Sequence, residues 1–272
     1  MRRAFPTFPP VQLFVFSVEP GFVRDVVVAG AAGIVVDWEH RGKERRQQGW
    51  GTEINRHTPR DLERVRAATG GRVLCRINAH GPWTAAEVRA AVARGADEIL
   101  LPMVRRPEEV DRTLDLVDGR CGLGILVETR DAVERAAELA RRPLRRVYVG
   151  LNDLRIDRGG TGLFTPLVDG TVERLRAAVD VPFGVAGLTL PGHGAPVPTR
   201  LIGAELVRIG AAFTFLRRSF LADLGDRDPA VELPRMHAAC AALRARTPDQ
   251  VRADRDALLA AVGGTPAPLQ PA

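Results

Sequence analysis

The stretch GILVETRDAVERAAELARRPLRRVYVGLND, Gly124–Asp153, is a strand, a helix and a second strand in succession. An apolar run, Gly124–Glu128, ends in a carboxylate. Asp131–Arg141 then spaces its apolar residues at helical intervals with acids in its first turn, and a second apolar run, Arg146–Gly150, leads to another carboxylate at Asp153. A strand, crossover helix and strand within about 30 residues form a βαβ unit, whose strands run parallel and whose far ends share one side of the sheet. Glu128 and Asp153 therefore emerge on the same side.

The same alternation fills most of the chain. Further strands are expected at Leu13–Val18, Gly33–Asp37, Arg72–Asn78, Glu98–Met103, Pro182–Leu188 and Ala212–Leu216, which with the first two make eight. Between them, TAAEVRAAVARG, with its threonine cap at Thr84 and glycine stop at Gly95, and Pro107–Val117 read as helices. Eight such units favour an α/β chain closed into a (β/α)8 TIM barrel; a doubly wound open sheet uses the same units, but no complete GxGxxG follows the first strand. Two further helical stretches, Ala230–Ala245 and Pro248–Val262, exceed what a barrel requires. The expected organisation is a barrel over residues 1–223, a C-terminal helical extension over 224–262 and a disordered tail over 263–272. The extension either packs against, and exchanges with, another subunit or closes the bottom of its own barrel.

With 272 residues, 45% hydrophobic and 26% charged, the chain has the composition of a soluble enzyme and enough apolar residues for one large core. No apolar run reaches the roughly 18 to 20 residues that span a bilayer. The N-terminus MRRAFPTFPP lacks an apolar core followed by a small-residue cleavage site, so a cytoplasmic protein without a membrane partner is expected. The net charge of +6 is carried by arginines interleaved with acids, which argues against a nucleic-acid partner and suits a small anionic substrate. Cys75, Cys121 and Cys240 show no CxxC spacing and read as reduced thiols. Lys43, the sole lysine, lies in the polar stretch RGKERRQQG, outside any buried strand. A Schiff base with a carbonyl substrate or with PLP needs a desolvated neutral amine, so neither a Schiff-base lysine nor PLP is expected.

In a barrel of this kind the active site lies at the C-terminal strand ends. Those ends carry Asp37, Trp38, Glu39 and His40, then Arg76 and Asn78, then Glu128, then Asn152 and Asp153. Glu128 and Asp153 are hard oxygen donors for Mg²⁺ or Mn²⁺, leaving positions open for water and a bidentate 2-oxo acid. Such an ion stabilises the enolate that forms when a bond to C3 breaks or is made. Arg76 would share the charge on the enolate oxygen. His40 would move the proton, with Asp37 fixing its tautomer, and His57, His80 and His193 are alternative loop imidazoles. Trp38 would wall the pocket. Each residue also has an ordinary reading: a strand-end carboxylate as a helix N-cap, a solvated loop histidine, a tryptophan in the core. The polar segment RGKERRQQGWGTEINRH after the second strand is either a lid that contacts an anion through Arg45 or Arg56 or a solvated loop. The glycine-rich RGGTGLF and LPGHGAP either form anion nests or only turn the chain, and Arg217 and Arg218 either hold a distal anion or are solvated.

In their order, GIVVDWEH, VLCRIN, GADEILLPMV, GILVETRDAV and VYVGLNDL resemble the HpcH/HpaI aldolase and citrate lyase β-subunit family, a branch of the phosphoenolpyruvate/pyruvate barrel superfamily, from about Phe14 to Asp223. The resemblance implies a modified (β/α)8 barrel, Mg²⁺, Mn²⁺ or a similar divalent ion on Glu128 and Asp153, an Arg76 that contacts the substrate oxygen, and, in the aldolase branch, an Asp37–His40 dyad. It also implies a homo-oligomer, trimer or hexamer, formed by exchange of C-terminal helices. Glu39–His40 and VETRDAV look like the pyruvate aldolases, and Arg76–Ile77–Asn78 like the acyl-CoA lyases. Leu126 stands where aldolases usually carry glutamine and Asn152 where they carry a small residue, so both are expected to shape the 2-oxo acid pocket. The implied function is a divalent-metal-dependent carbon–carbon lyase of the class II aldolase type, joining or splitting a 2-oxo acid and an aldehyde or acyl partner. The alternatives are a citrate-lyase-type acyl-CoA lyase or thioesterase acting on a malyl- or citramalyl-CoA-like thioester, and a non-catalytic barrel subunit.

Overall fold

In a computed structural model of the chain, the described residues are 10–49, 55–160, 162–217 and 219–264. Eight parallel strands close into a barrel in sequence order: β1 (Gln12–Phe16), β2 (Gly33–Asp37), β3 (Arg72–Arg76), β4 (Glu98–Leu101), β5 (Gly122–Val127), β6 (Arg146–Val149), β7 (Phe183–Val185) and β8 (Phe213–Phe215), which returns to pair with β1. All eight expected strands are present. Most stop short of the expected C-terminal end, because residues such as Asn78 and Glu128 leave the ladder to bond loop backbone.

The strands read as near-continuous apolar runs because both of their faces are buried. Ile34, Val36, Val73, Cys75, Ile125 and Val127 face the surrounding helices, whereas Phe14, Val35, Leu74, Leu100, Leu126, Tyr148, Phe213 and Phe215 fill the barrel. Gly184 in β7 makes room for this aromatic filling, since a Cβ there would lie 2.6 Å from the Phe213 ring. Side chains alternate faces with a period of two. Asp37, Arg76 and Glu128 thus stand two residues beyond Val35, Leu74 and Leu126, as a polar layer on top of the apolar filling. At the opposite end Arg146 donates to Glu98 across 2.6 Å, and its guanidinium lies 4.6 Å and 4.7 Å from the rings of Phe14 and Phe213, closing the floor.

Helix Pro107–Val117 matches its expected bounds, while the expected helix at Asp131–Arg141 divides into Arg130–Glu134 and Ala136–Leu139. The C-terminal helices Pro229–Arg244 and Pro248–Gly263 pack on helix Thr199–Arg208 of their own chain, the first also on Pro20–Val28. Arg255 ties the last helix to the Leu167 carbonyl and to Glu205 at 2.6 Å and 2.7 Å. Of the expected tail, residues 265–272 lie outside the described residues. Cys75 and Cys240 are buried thiols, Cys121 a half-buried one. Among the described residues no helix is long and apolar enough to cross a membrane.

Candidate active site

Asp37 and Arg76, adjacent in the register of β2 and β3, form a bidentate pair: Nε donates to Oδ1 across 2.8 Å and an Nη to Oδ2 across 2.7 Å. Asp37 also accepts from the Asn55 amide and the Glu39 N–H, each at 3.1 Å. Burial pushes the Asp37 carboxyl up, but the Arg76 charge and hydrogen bonds, with Lys43 and Asn55, outweigh it and hold the group well below the usual carboxylate range. The pair is locked, and Arg76 presents a fixed positive charge to the barrel mouth.

The polar segment after β2 turns at Gly42, whose φ of 69° suits glycine, and forms a short helix, Lys43–Gln47. Helical spacing sets Lys43, Arg46 and Gln47 on one face, and that face turns inward. Lys43, expected outside the buried region, has no exposed surface; its Nζ lies 2.9 Å from Glu39 and 3.7 Å from Asp37. Two buried carboxylates supply what the sequence position does not show, a reason to desolvate an ammonium. Arg46 bridges Glu39 and Asp153 at 2.7 Å each, and Gln47 donates to both Asp153 oxygens at 3.0 Å. Arg45 is exposed and Arg56 pairs at the surface with Glu44, so the residues that reach the site from this segment are Lys43, Arg46 and Gln47 and, at its far end, Asn55 and His57, rather than Arg45 and Arg56. Residues 50–54 of the segment lie outside the described residues, as do Thr161 of RGGTGLF and Arg218.

Glu128, at the end of β5, is different. It is buried and accepts the Met103 N–H across 3.1 Å, and among the described residues no cation stands within ion-pair distance of it. Gly150 opposite leaves it room, because a Cβ there would lie 2.3 Å from Oε1. Burial, then the charges of Asp153 and Glu39, push the Glu128 carboxyl well above its ordinary value, with Arg76 and Arg46 pulling the other way. Asp153 moves in the opposite sense: burial raises it, but Arg46 and Gln47 prevail and lower it.

Glu128, Asp153, Asn152 and Arg76 line one cavity of about 590 Å³ at the barrel mouth, together with Gln47, Tyr148 and Arg217. Tyr148 stacks on Phe215 at 4.2 Å, and burial keeps its phenol protonated. Asn152 is held by Arg155, which donates to its Oδ1 across 2.9 Å. A larger cavity of about 630 Å³ lies elsewhere, between Leu188, Met236 and Leu243, and contains none of the expected site residues.

Three expectations are corrected. Asp37 and His40 do not form a dyad: the Asp37 carboxylate is taken by Arg76, and exposed His40 sets its Nδ1 2.8 Å from the Trp38 carbonyl. The imidazole beside Asp37 is His57, whose Nδ1 accepts the Asp37 N–H across 3.0 Å, which leaves the proton of the neutral ring on Nε2. Burial holds this imidazole below its ordinary value, against the pull of Asp37. Trp38 packs between barrel and helices, its Nε1 donating to the Thr58 carbonyl, and does not line the cavity. Leu126 lies in the filled interior beneath Glu128, beside its register partner Tyr148, and does not line the cavity either. Period-two alternation makes that last placement legible, since a residue two before an inward strand end belongs to the layer below.

The sequence model of the HpcH/HpaI aldolase/citrate lyase family matches residues 11–165, more than half of the chain and all of Asp37, Arg76, Glu128 and Asp153. The chain belongs to the HpcH/HpaI aldolase/citrate lyase family. Family members are lyases, which sets this chain among enzymes of the aldolase and citrate lyase type. The fold agrees with that of the HpcH/HpaI aldolase from Desulfitobacterium hafniense DCB-2, at 18% identity and a TM-score of 0.60 over 88% of this chain and 95% of that one. It likewise resembles RipC from Yersinia pestis, at 14% identity and a TM-score of 0.58 over 89% and 98% of the two chains. No curated protein matches the chain.

The Asp37–Arg76 pair carries a pH signature. With a folded-state value below the ordinary 3.8, the Asp37 carboxyl contributes stability that is complete above the unfolded-state value and is lost as pH falls beneath it. The stability gap between wild type and Asp37→Asn in urea unfolding is expected to be about 2 kcal/mol at pH 6 and to shrink by about 1 kcal/mol at pH 3. A gap that does not change with pH would show that the pair is not ionic.

Proposed function

We propose that this HpcH/HpaI family member is a divalent-metal-dependent carbon–carbon lyase that acts through the enolate of a pyruvate-like 2-oxo acid. Glu128 carries the reading. A buried carboxylate with no cationic partner is costly unless a cation completes its surroundings. Asp153 supplies a second hard donor on the same cavity, and among the described residues no third His, Cys, Asp or Glu joins them in a closed cage. The donor set fits Mg²⁺ or Mn²⁺ with open positions, in keeping with the general metal dependence of the family. An ion held there would act as a Lewis acid toward the carbonyl of the 2-oxo acid.

The chain's own residues supply the rest. Arg76, fixed by Asp37, offers a preorganised charge to the enolate oxygen, so no reorganisation is needed as negative charge develops. Asn152 orients the carboxylate end of the substrate. His57 offers its Nε2–H as a hydrogen-bond donor, since its Nδ1 is committed to the Asp37 N–H, and it lines a smaller cavity of about 240 Å³ that shares Phe16, Leu216, Arg217 and Leu221 with the first. Arg46 opposes metal loading, because its guanidinium bonds the Asp153 oxygen Oδ1.

Three measurements test these roles. With Mn²⁺, wild type should exchange the C3 hydrogens of pyruvate for deuterium and Glu128→Gln should lose at least 100-fold of that rate; full exchange by the variant, or exchange without added metal in chelator, sinks the reading. Calorimetry of Arg46→Ala should show Mn²⁺ binding about tenfold tighter than in wild type, and equal or weaker binding would remove Arg46 as a competitor. His57→Ala should slow exchange at least tenfold while His40→Ala stays within about twofold, and the reverse order would give the larger role to His40.

A further inference from the structure

Two arginines line the 590 Å³ cavity, and they differ in one respect. Arg76 is ion-paired with Asp37. Arg217, just beyond β8, forms no ion pair with any described residue. Its Nε donates to the Ser219 hydroxyl across 2.6 Å, and Ser219 in turn donates to the Asp223 Oδ2 across 3.1 Å. The same oxygen accepts the Thr189 hydroxyl across 2.5 Å, and the Arg217 N–H donates to the Leu188 carbonyl across 2.9 Å. One edge of the guanidinium is thereby anchored from two strand ends, with the Asp223 charge kept one hydroxyl away. The half-buried head stands where the two cavities meet, among Phe16, Leu216 and Leu221.

An anchored, partly desolvated guanidinium with no anionic partner is built to receive one, and its two free nitrogens match a carboxylate or phosphate bidentately. We propose that Arg217 is the subsite for an anionic terminal group, carboxylate or phosphate, at the end of the substrate remote from the reacting carbonyl. Ser219 and Asp223 are its positioning residues. The inference rests on the reading that the cavity takes a 2-oxo acid, and it adds that the compound split or formed carries a second negative charge.

The test compares compounds that differ at the remote end only. Calorimetry on the Mn²⁺-loaded full chain would measure 2-oxoglutarate, its terminal phosphonate analogue 2-oxo-4-phosphonobutanoate, and 2-oxopentanoate, which ends in a methyl group. Wild type is expected to bind at least one of the two dianions tenfold or more above 2-oxopentanoate, and the tighter of the two identifies the terminal group. Arg217→Ala should bring the ratio close to one, Arg217→Lys should retain part of it, and Ser219→Ala should lower it with the melting temperature unchanged. The subsite is overturned if wild type does not discriminate, if neither dianion binds, or if Arg217→Ala weakens all three compounds equally. Pyruvate has no remote group, so wild-type C3 exchange reports on the enolate reading alone. Exchange without discrimination refutes the subsite and leaves that reading standing; no exchange and no binding refutes both.

Discussion

Four carboxylates buried together at the mouth of an apolar barrel need compensating charge, and the local structure follows from how they obtain it. Asp37, Glu39, Glu128 and Asp153 face three cations, Lys43, Arg46 and Arg76. Ionised carboxylates leave water only when paired and hydrogen-bonded. The helix Lys43–Gln47 folds inward because its lysine, arginine and glutamine satisfy Glu39 and Asp153, and Arg76 is immobile because Asp37 holds one edge of its guanidinium while Glu39 lies 3.4 Å from the remaining nitrogen. Three of the four acids are paired. Among the described residues Glu128 is not, so its carboxyl holds its proton more tightly than an ordinary carboxylic acid until a cation joins it.

That imbalance links the protein architecture to the chemistry proposed for it. A divalent ion beside Glu128 and Asp153 would bring the cluster one charge beyond neutrality if Arg46 stayed, and would have to share an Asp153 oxygen with it. Metal and Arg46 are therefore alternatives at one carboxylate. Arg217 stands outside this balance, which is why its charge remains available to a ligand.

The barrel was legible because its signals are local and repeated: each βα unit announces itself by an apolar run and an amphipathic helix, and eight of them without a GxGxxG after the first strand favour closure over an open sheet. The carboxylates at the ends of β5 and β6 were legible for the same reason, since strand polarity alone places them on one side. What the sequence did not show was pairing across the barrel mouth. Only Trp38 and Glu39 separate Asp37 from His40, yet Asp37 faces inward toward Arg76 on the neighbouring strand while His40 lies beyond the strand end in water. Lys43 looked solvated because its neighbours are polar, and only the acids contributed by β2 explain its burial. The helical spacing of Lys43, Arg46 and Gln47 was a signal that could have been read, but a five-residue helix is too short to stand out from a polar loop.

A crystal structure of the protein grown with Mn²⁺ and oxalate, phased to show the manganese anomalous signal, would examine the competition between ion and arginine. The ion is expected between Glu128 and Asp153, with the Arg46 guanidinium withdrawn from Asp153 and oxalate chelated beside Arg76. Manganese bound elsewhere, with Arg46 still seated on Asp153 and Glu128 without a cation, would contradict it.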